Sequence, residues 1–235
     1  MTDLAQDDSG SVAPGLGRLT QRTTPTTVAA VLRAAILDGK LKPGSQLRET
    51  HLASDLGVSR APLREALGIL ADEGLVEKIP YRGAFVAEVS ADAIAEIASL
   101  RKRLEPYAIE LALPRLAGPT RIKVTRALED MEIGAHEGDA AATIDAHMAF
   151  HRAFYELAGH KLLLDLWCGW ETQLQLFFSA DHRSFEDLQQ VVTEHRKLLE
   201  IIDRGDMAVI TAEIDRHVHG GQPQAEAAAA ALRDA

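Results

Sequence analysis

His147 and His151 stand four residues apart, and His195 and His217 follow at longer range. The i,i+4 spacing puts the first two rings on one face of a helix. That face also carries Ile144, Met148, Phe154, Tyr155 and Ala158. His195 is in line with Val191, Val192, Leu198, Leu199 and Ile202, and His217 with Ile210, Ile214 and Val218. Each imidazole thus sits on an apolar stripe and is expected to face a core. One such ring can be satisfied by a backbone carbonyl, but four from three helices point to a shared partner. Buried polar groups need partners, and a divalent cation would serve several rings at once. Imidazole suits zinc, nickel and copper, and bundles draw such ligands from facing helices. The expectation is a divalent metal ion, zinc or nickel, held by His147, His151, His195 and His217. His51, His136, His160 and His182 read as surface or cap residues, and His219 falls on a different face from His217.

A second chemistry is suggested by Leu56-Gly-Val-Ser-Arg-Ala-Pro-Leu-Arg-Glu-Ala-Leu67. Gly57 allows a tight turn, Ser59 is placed to cap a helix, and Pro62 falls in the first turn, where a missing N–H costs little. Arg60 and Arg64 then share one face. A helix entering a major groove presents its N-terminal side chains to base edges, and arginine matches guanine N7 and O6. Arg48, Thr50 and Ser59 are placed for phosphate or base contacts. Arg82 and Gly83 form a hairpin tip suited to a minor groove.

The elements that must position these residues follow from periodicity and punctuation. A helix is predicted over 26–38, stopped by Gly39, and Lys42-Pro43-Gly44 is a turn. A short helix over 49–56 and the Ser59 helix, ending before Gly74, come next. Strands over 75–79 and 84–89 flank Pro80-Tyr-Arg-Gly83 as a two-stranded hairpin. After Ser90 the strand signals vanish. Helical stretches are expected at 90–116, 119–137, 139–158, 160–180, 184–204 and 206–219, with Pro106 and Pro114 kinking or splitting the first. The fold class is mainly α: an N-terminal winged helix-turn-helix, then an all-helical antiparallel bundle of six to seven helices. The divisions are a flexible arm over 1–24, a DNA-binding domain over 25–89, a helical ligand- and metal-binding domain over 90–221 and a tail over 222–235.

Composition bounds the rest. A chain of 235 residues with 46% apolar content can build two cores. No apolar run approaches the roughly 20 residues of a membrane span, and residues 1–24 lack the apolar centre of a secretion signal. The lone cysteine, Cys168, excludes an internal disulfide and a cysteine-based zinc module, and between Trp167 and Trp170 it reads as buried packing. A cytoplasmic location is expected. The net charge of -10 is unevenly spread: residues 18–89 hold 10 basic and 8 acidic side chains (+2), and residues 90–235 hold 15 and 24 (-9). Phosphates respond to charge within a Debye length, so the basic surface of the N-terminal part decides.

Ile36-Leu-Asp-Gly39, Leu41-Lys-Pro-Gly44, Leu52-Ala53, Gly57-Val-Ser-Arg60, Pro62-Leu-Arg-Glu-Ala-Leu67 and Gly74-Leu-Val76 through Arg82-Gly83 resemble the GntR family of bacterial repressors. The resemblance implies a homodimer on a pseudo-palindromic double-stranded operator, with Arg60, Arg64 and the wing glycine contacting DNA. The C-terminal half is similar to the all-helical ligand-binding domain called FCD. There an Asp precedes a His by four residues, and two further histidines stand 22 apart, as His195 and His217 do. Phe150-His151, Glu194-His-Arg and Gly205-Asp206 fit the surrounding pattern, and Arg101 and Glu105 fit an opening Arg-x-x-x-Glu. His147 departs from the pattern by occupying the usual Asp position, and Asp145 lies on another face. A four-histidine set removes one negative charge, which would favour a softer metal or weaken the site.

The resemblance further implies a small carboxylate effector beside the metal, with Arg101 clamping its far carboxylate. The alternative for Arg101 is a surface salt bridge to Glu105. The functional expectation is a ligand-responsive repressor and not an enzyme: no Glu-x-x-His pair, phosphate loop or nucleophile elbow is found. The alternatives are a direct metal sensor, a metal-dependent enzyme fused to a DNA module, and histidines lining a pocket without metal.

Overall fold

The computed structural model describes residues 24–180 and 187–219. The expected arm before Thr24, the tail from 222, His182 and the expected helix start at 184 lie outside them. Two compact units divide between Glu88 and Val89. No described helix is long and apolar enough to cross a membrane.

In the first unit α1 (Pro25–Leu37) starts at Thr24, whose side-chain oxygen accepts the Thr27 N–H. It buries Val28, Ala29, Leu32, Ala35 and Ile36. After β1 (Gln46–Leu47), α2 (Glu49–Leu56) closes on Gly57, whose φ of 69° is the left-handed geometry a tight helix-to-helix turn needs. α3 (Arg60–Asp72) packs Leu63, Ala66, Leu67 and Leu70 inward, with α1 as its neighbour. Ser59 holds the N-cap position, but its side chain makes no capping hydrogen bond. β2 (Val76–Ile79) and β3 (Gly83–Val86) form the expected antiparallel hairpin, with Val76 opposite Val86 and Ile79 opposite Gly83. The sheet nonetheless has three strands, in the order β1-β3-β2, with Gln46 opposite Phe85. Two residues are too few to show the alternation that betrays a strand.

The second unit is helical. α4 (Ala91–Ala112), α5 (Ile122–Glu137), α6 (Ala140–Leu157), α7 (Lys161–Ala180), α8 (Leu188–Arg204) and α9 (Met207–His219) match the six expected stretches. Ser90, Asp139 and Asp187 each accept an N–H from the first turn of the helix that follows. Of the expected kink or split at Pro106, the split does not occur: α4 runs unbroken through it. A proline inside a helix forfeits one backbone bond, and packing on both sides of that point outweighs it: Glu105, Ala108 and Ile109 are fully buried. Pro114 falls in a 3-10 turn, Leu113–Arg115, beyond the helix end.

Two apolar clusters meet at α6. Phe150 and Phe154 pack with Met131, Leu198, Ile202 and Ile214. Met148 and Tyr155 pack with Ile97, Ala108, Trp167 and Leu174. Phe154 and Tyr155 are consecutive and both 0% exposed, so α6 is the central helix rather than one with a single wet face. It lies close to α5 because residue 134 is glycine: a Cβ there would meet Thr143 N and Oγ1 at 2.9 Å. Gly134→Val is expected to lower stability by about 1–3 kcal/mol through overpacking. Gly169→Ala on α7, where a Cβ meets nothing within 4 Å, should instead raise it by up to about 1 kcal/mol. Urea unfolding of both variants checks the contrast, and equal effects would discount the close helix approach.

Candidate functional site

The four stripe histidines converge. One ring nitrogen from each of His147, His151, His195 and His217 lies within 4.8 Å of the others. His151 Nε2 is 3.2 Å from His147 Nε2 and 3.1 Å from His195 Nε2. The His217 ring lies 4.5 Å from that of His195, centroid to centroid. His147, His151 and His195 are buried and His217 is partly so. Burial, first of all, lowers the pKa of each: His195 to about 4, and the other three well below the ordinary 6.5. Mutual repulsion among the rings and the nearby Arg101 guanidinium push His147, His151 and His217 the same way. The rings are therefore neutral at pH 7.

Their tautomers follow from their other contacts. His195 Nδ1 lies 2.7 Å from the Val191 carbonyl, which can only accept, so that nitrogen donates. His151 Nδ1 donates to the Glu105 carboxylate at 2.5 Å. In neutral imidazoles this leaves lone pairs on both Nε2 atoms, and those lone pairs face each other across 3.1 Å. A positive centre shared by the rings turns the repulsion into attraction, so the donor set fits a divalent cation. Glu105 is itself 0% exposed and pairs with Arg101 at 3.0 Å through Nε. A carboxylate behind a ligating imidazole orients the ring and raises its basicity.

In the first unit Arg60 and Arg64 are exposed on α3, Thr50 on α2, Arg48 just before α2, and Arg82 and Gly83 at the hairpin. Ser59 is exposed and Pro62 partly buried. Arg64 Nε donates to Glu49 Oε2 at 2.6 Å, which ties the start of α2 to α3. The Arg82 carbonyl accepts from Gln46 Nε2 at 2.8 Å, and its guanidinium lies 5.5 Å over the Phe85 ring. Arg48 reaches Gln46 at 3.3 Å. Between α3 and the hairpin runs a groove lined by Glu49, Arg64, Lys78 and Tyr81. Tyr81 is fully exposed with a φ of 63°, an uncommon conformation for a non-glycine residue. A helix with exposed arginines beside an exposed β-hairpin is the arrangement of a winged helix-turn-helix.

Residues 24–86 match the bacterial regulatory proteins of the gntR family, and residues 96–220 match the FCD domain. The chain belongs to the GntR family. This GntR regulator is 26% identical over 213 residues to the gluconate operon transcriptional repressor of Bacillus subtilis, covering 88% of this chain and 87% of that one. It is 29% identical over 153 residues to the transcriptional regulator McbR of Escherichia coli, covering 65% and 69%. The solved structure of E. coli McbR/YncC superposes with a TM-score of 0.69 at 23% identity, over 87% of this chain and 99% of that one. A GntR-type regulator from Rhodococcus sp. RHA1 gives a TM-score of 0.74 at 24% identity, over 86% and 97%. These structural likenesses speak for the fold. The family makes the chain a transcriptional regulator that binds DNA through its winged helix-turn-helix.

The GntR regulator brings His147, His151, His195 and His217 together as their stripes predict. Arg101 is paired with Glu105, but in the core at 5% exposure and not at the surface. The interior role of Glu105 is added by the fold, since its partner His151 lies 46 residues away. The available signal was the i,i+4 spacing of Arg101 and Glu105 on one helix face. Cys168 is exposed, which corrects the packing assignment: Trp167 and Trp170 turn inward and the residue between them turns out. His136 is exposed, and His160 accepts the Leu163 N–H at the start of α7. The neutral rings set a pH dependence. Because the folded pKa values lie below 6.5, the unfolded chain binds more protons as pH falls, and stability drops from about 6.5 toward 4. Chelator-treated protein should lose roughly 1 kcal/mol for each buried neutral imidazole between about pH 7 and about 5.5, above the ordinary carboxylate range. Urea midpoints that stay flat over that window would show that the rings are charged or solvated.

Proposed function

We propose that this chain is a homodimeric transcriptional repressor on a pseudo-palindromic operator. Its DNA affinity is set by a small carboxylate effector bound beside a divalent metal, zinc or nickel, in the helical unit. The observation that carries the reading is the convergence of four imidazoles, one ring nitrogen from each lying within 4.8 Å of the others in the core. His147, His151, His195 and His217 would hold the ion, with Glu105 backing His151. When bound, the ion supplies a Lewis-acidic centre that attracts a carboxylate oxygen.

The protein's own residues do the remainder. Arg101, buried beside the imidazoles, favours an anionic ligand over a neutral one. The aromatic shell of Phe150, Trp167 and Phe178 excludes water and so strengthens each charge interaction. On the DNA side, Arg60 and Arg64 are placed to read bases, while Arg48, Thr50 and Ser59 are placed for phosphate or base contacts. A two-fold protein matches a two-fold site, and each head needs only a short half-site. The effector regulates only if it binds the DNA-competent and incompetent states unequally. The repressor assignment is supported by the B. subtilis gluconate operon repressor, whose name states that role.

Two measurements test this reading. Elemental analysis of protein expressed in zinc- and nickel-supplemented medium should find about one ion per chain, reduced at least about tenfold in the His151→Ala, His195→Ala double variant. Operator titrations by fluorescence anisotropy should show Arg64→Ala weakening specific binding by about 1–3 kcal/mol with dimerisation intact. A wild-type protein free of metal, or an Arg64→Ala protein that binds as before, would remove the respective half of the proposal.

A further inference from the structure

We infer that the groove between α3 and the hairpin seats one phosphodiester of the bound duplex, with Lys78 and Tyr81 as its ligands. The inference rests on the DNA-binding assignment and is independent of the metal reading.

The first argument is geometric. On a duplex, the major groove and the minor groove beside it are separated by one sugar-phosphate strand. With α3 at the major groove and the hairpin tip at the minor groove, that strand lies over the protein surface between them. This surface is the groove lined by Glu49, Arg64, Lys78 and Tyr81.

The second argument is the charge the groove presents. The Glu49 carboxylate is engaged by Arg64 Nε at 2.6 Å. Lys78 makes no ion pair or hydrogen bond among the described residues. It stands two residues beyond the buried Val76 on β2, so strand alternation gives both the same face of the sheet. The Lys78 ammonium lies over α3 at Gly68, where an added Cβ would meet Nζ at 3.5 Å. Arg60, Arg64 and Gly68 follow one another at four-residue steps along one face of α3. The hairpin thus supplies the cation that residue 68 cannot. One unmatched ammonium answers the single negative charge of one phosphodiester.

The third argument is Tyr81, which the charge count does not touch. Its φ of 63° is left-handed, a geometry that suits glycine or asparagine. The ring is fully exposed, so packing within the unit does not offset that backbone. Disfavoured backbone kept without a gain in packing is a mark of ligand contacts. The residue lines the groove, where its ring can lie on a deoxyribose and its hydroxyl can donate to a phosphate oxygen.

The test uses the full-length protein as purified and a duplex that it selects from a random-sequence pool. Lys78→Gln should weaken binding at least about fivefold. The factor should be the same for the selected duplex and for its single-base-pair variants, because a phosphate contact carries no base information. The slope of log affinity against log salt should shrink by about 0.9, the value of one phosphate contact. Lys40→Gln removes an ammonium paired with Asp38 and should move that slope by less than about 0.3. A methylphosphonate, which neutralises one linkage, is then placed at each position of the duplex in turn. At one linkage under each head it should weaken wild-type binding at least about fivefold and Lys78→Gln binding by less than about twofold. Tyr81→Asn should weaken binding at least about threefold while the thermal unfolding midpoint stays level or rises, a pairing that a structural role would not give. Methylphosphonate penalties equal in wild-type and Lys78→Gln protein at every linkage would overturn the inference, as would an unchanged salt slope. Wild-type affinity in Tyr81→Asn would overturn the assignment of Tyr81. A protein that selects no duplex would overturn the DNA-binding assignment and this inference together.

Discussion

The carboxylate of Glu105, sealed from water between the Arg101 guanidinium and the His151 ring, is the contact on which the chemistry of the helical unit depends. A lone carboxylate could not stay charged in that core, and a lone guanidinium would be as costly. As a pair they are tolerated, and the spare oxygen of Glu105 is committed to His151. That commitment links α4 to α6 and decides which nitrogen of His151 carries the proton. The Val191 carbonyl makes the same decision for His195 from within α8. Two rings from different helices are thereby turned so that their basic nitrogens confront each other. The confrontation is unfavourable by itself, and the surrounding packing sustains it.

That packing comes from α6 and its aromatic neighbours. The Phe150 ring meets those of His151, His195 and Phe154 edge to face at 5.2–5.5 Å, a geometry aromatic rings favour. His147 is similarly placed against Phe178 at 5.5 Å. Imidazoles wedged among such rings have little freedom to rotate away from one another. The same shell keeps them neutral, because burial penalises the protonated form more than any neighbouring charge does. Stability and the convergence of four polar rings are in tension here. An apolar core with four leucines in these places would be the safer fold, and a buried polar cluster that is only partly satisfied is what functional sites commonly carry.

The DNA-binding unit handles its arginines differently. Arg64 and Glu49 form their ion pair at the surface, with Arg64 64% exposed. Exposed pairs of this kind contribute about 0–1 kcal/mol, so Glu49 can aim the guanidinium without holding it against a competing base or phosphate. Arg82 is steadied through Phe85 and through its own carbonyl, which leaves its guanidinium exposed. The wing gains its third strand from β1, whose Gln46 reaches the Arg82 carbonyl at the hairpin tip. One short strand thus braces the hairpin and leads directly into α2, coupling the wing to the helix pair within this unit.

What the sequence made legible, and what it hid, follows from the range of the interactions. The spacing of His147 and His151, the Gly57 turn and the helix starts are settled by near neighbours, and each is found where periodicity and capping rules put it. Convergence of the four rings was also legible, since apolar stripes must face a common interior wherever the helices lie. Glu105 was hidden because its role needs to know that α4 lies beside α6. β1 was hidden because two residues carry no period, and its strand character comes from pairing with β3. Cys168 was misassigned because adjacent residues on a helix are about 100° apart, so a residue between two inward tryptophans at i and i+3 turns outward. Pro106 shows the converse: a strong local rule yielded to the buried neighbours on either side of it. The convergence of the four histidines can thus be read from one chain, whereas the groups that charge, orient and seal them are fixed only when the helices find their neighbours.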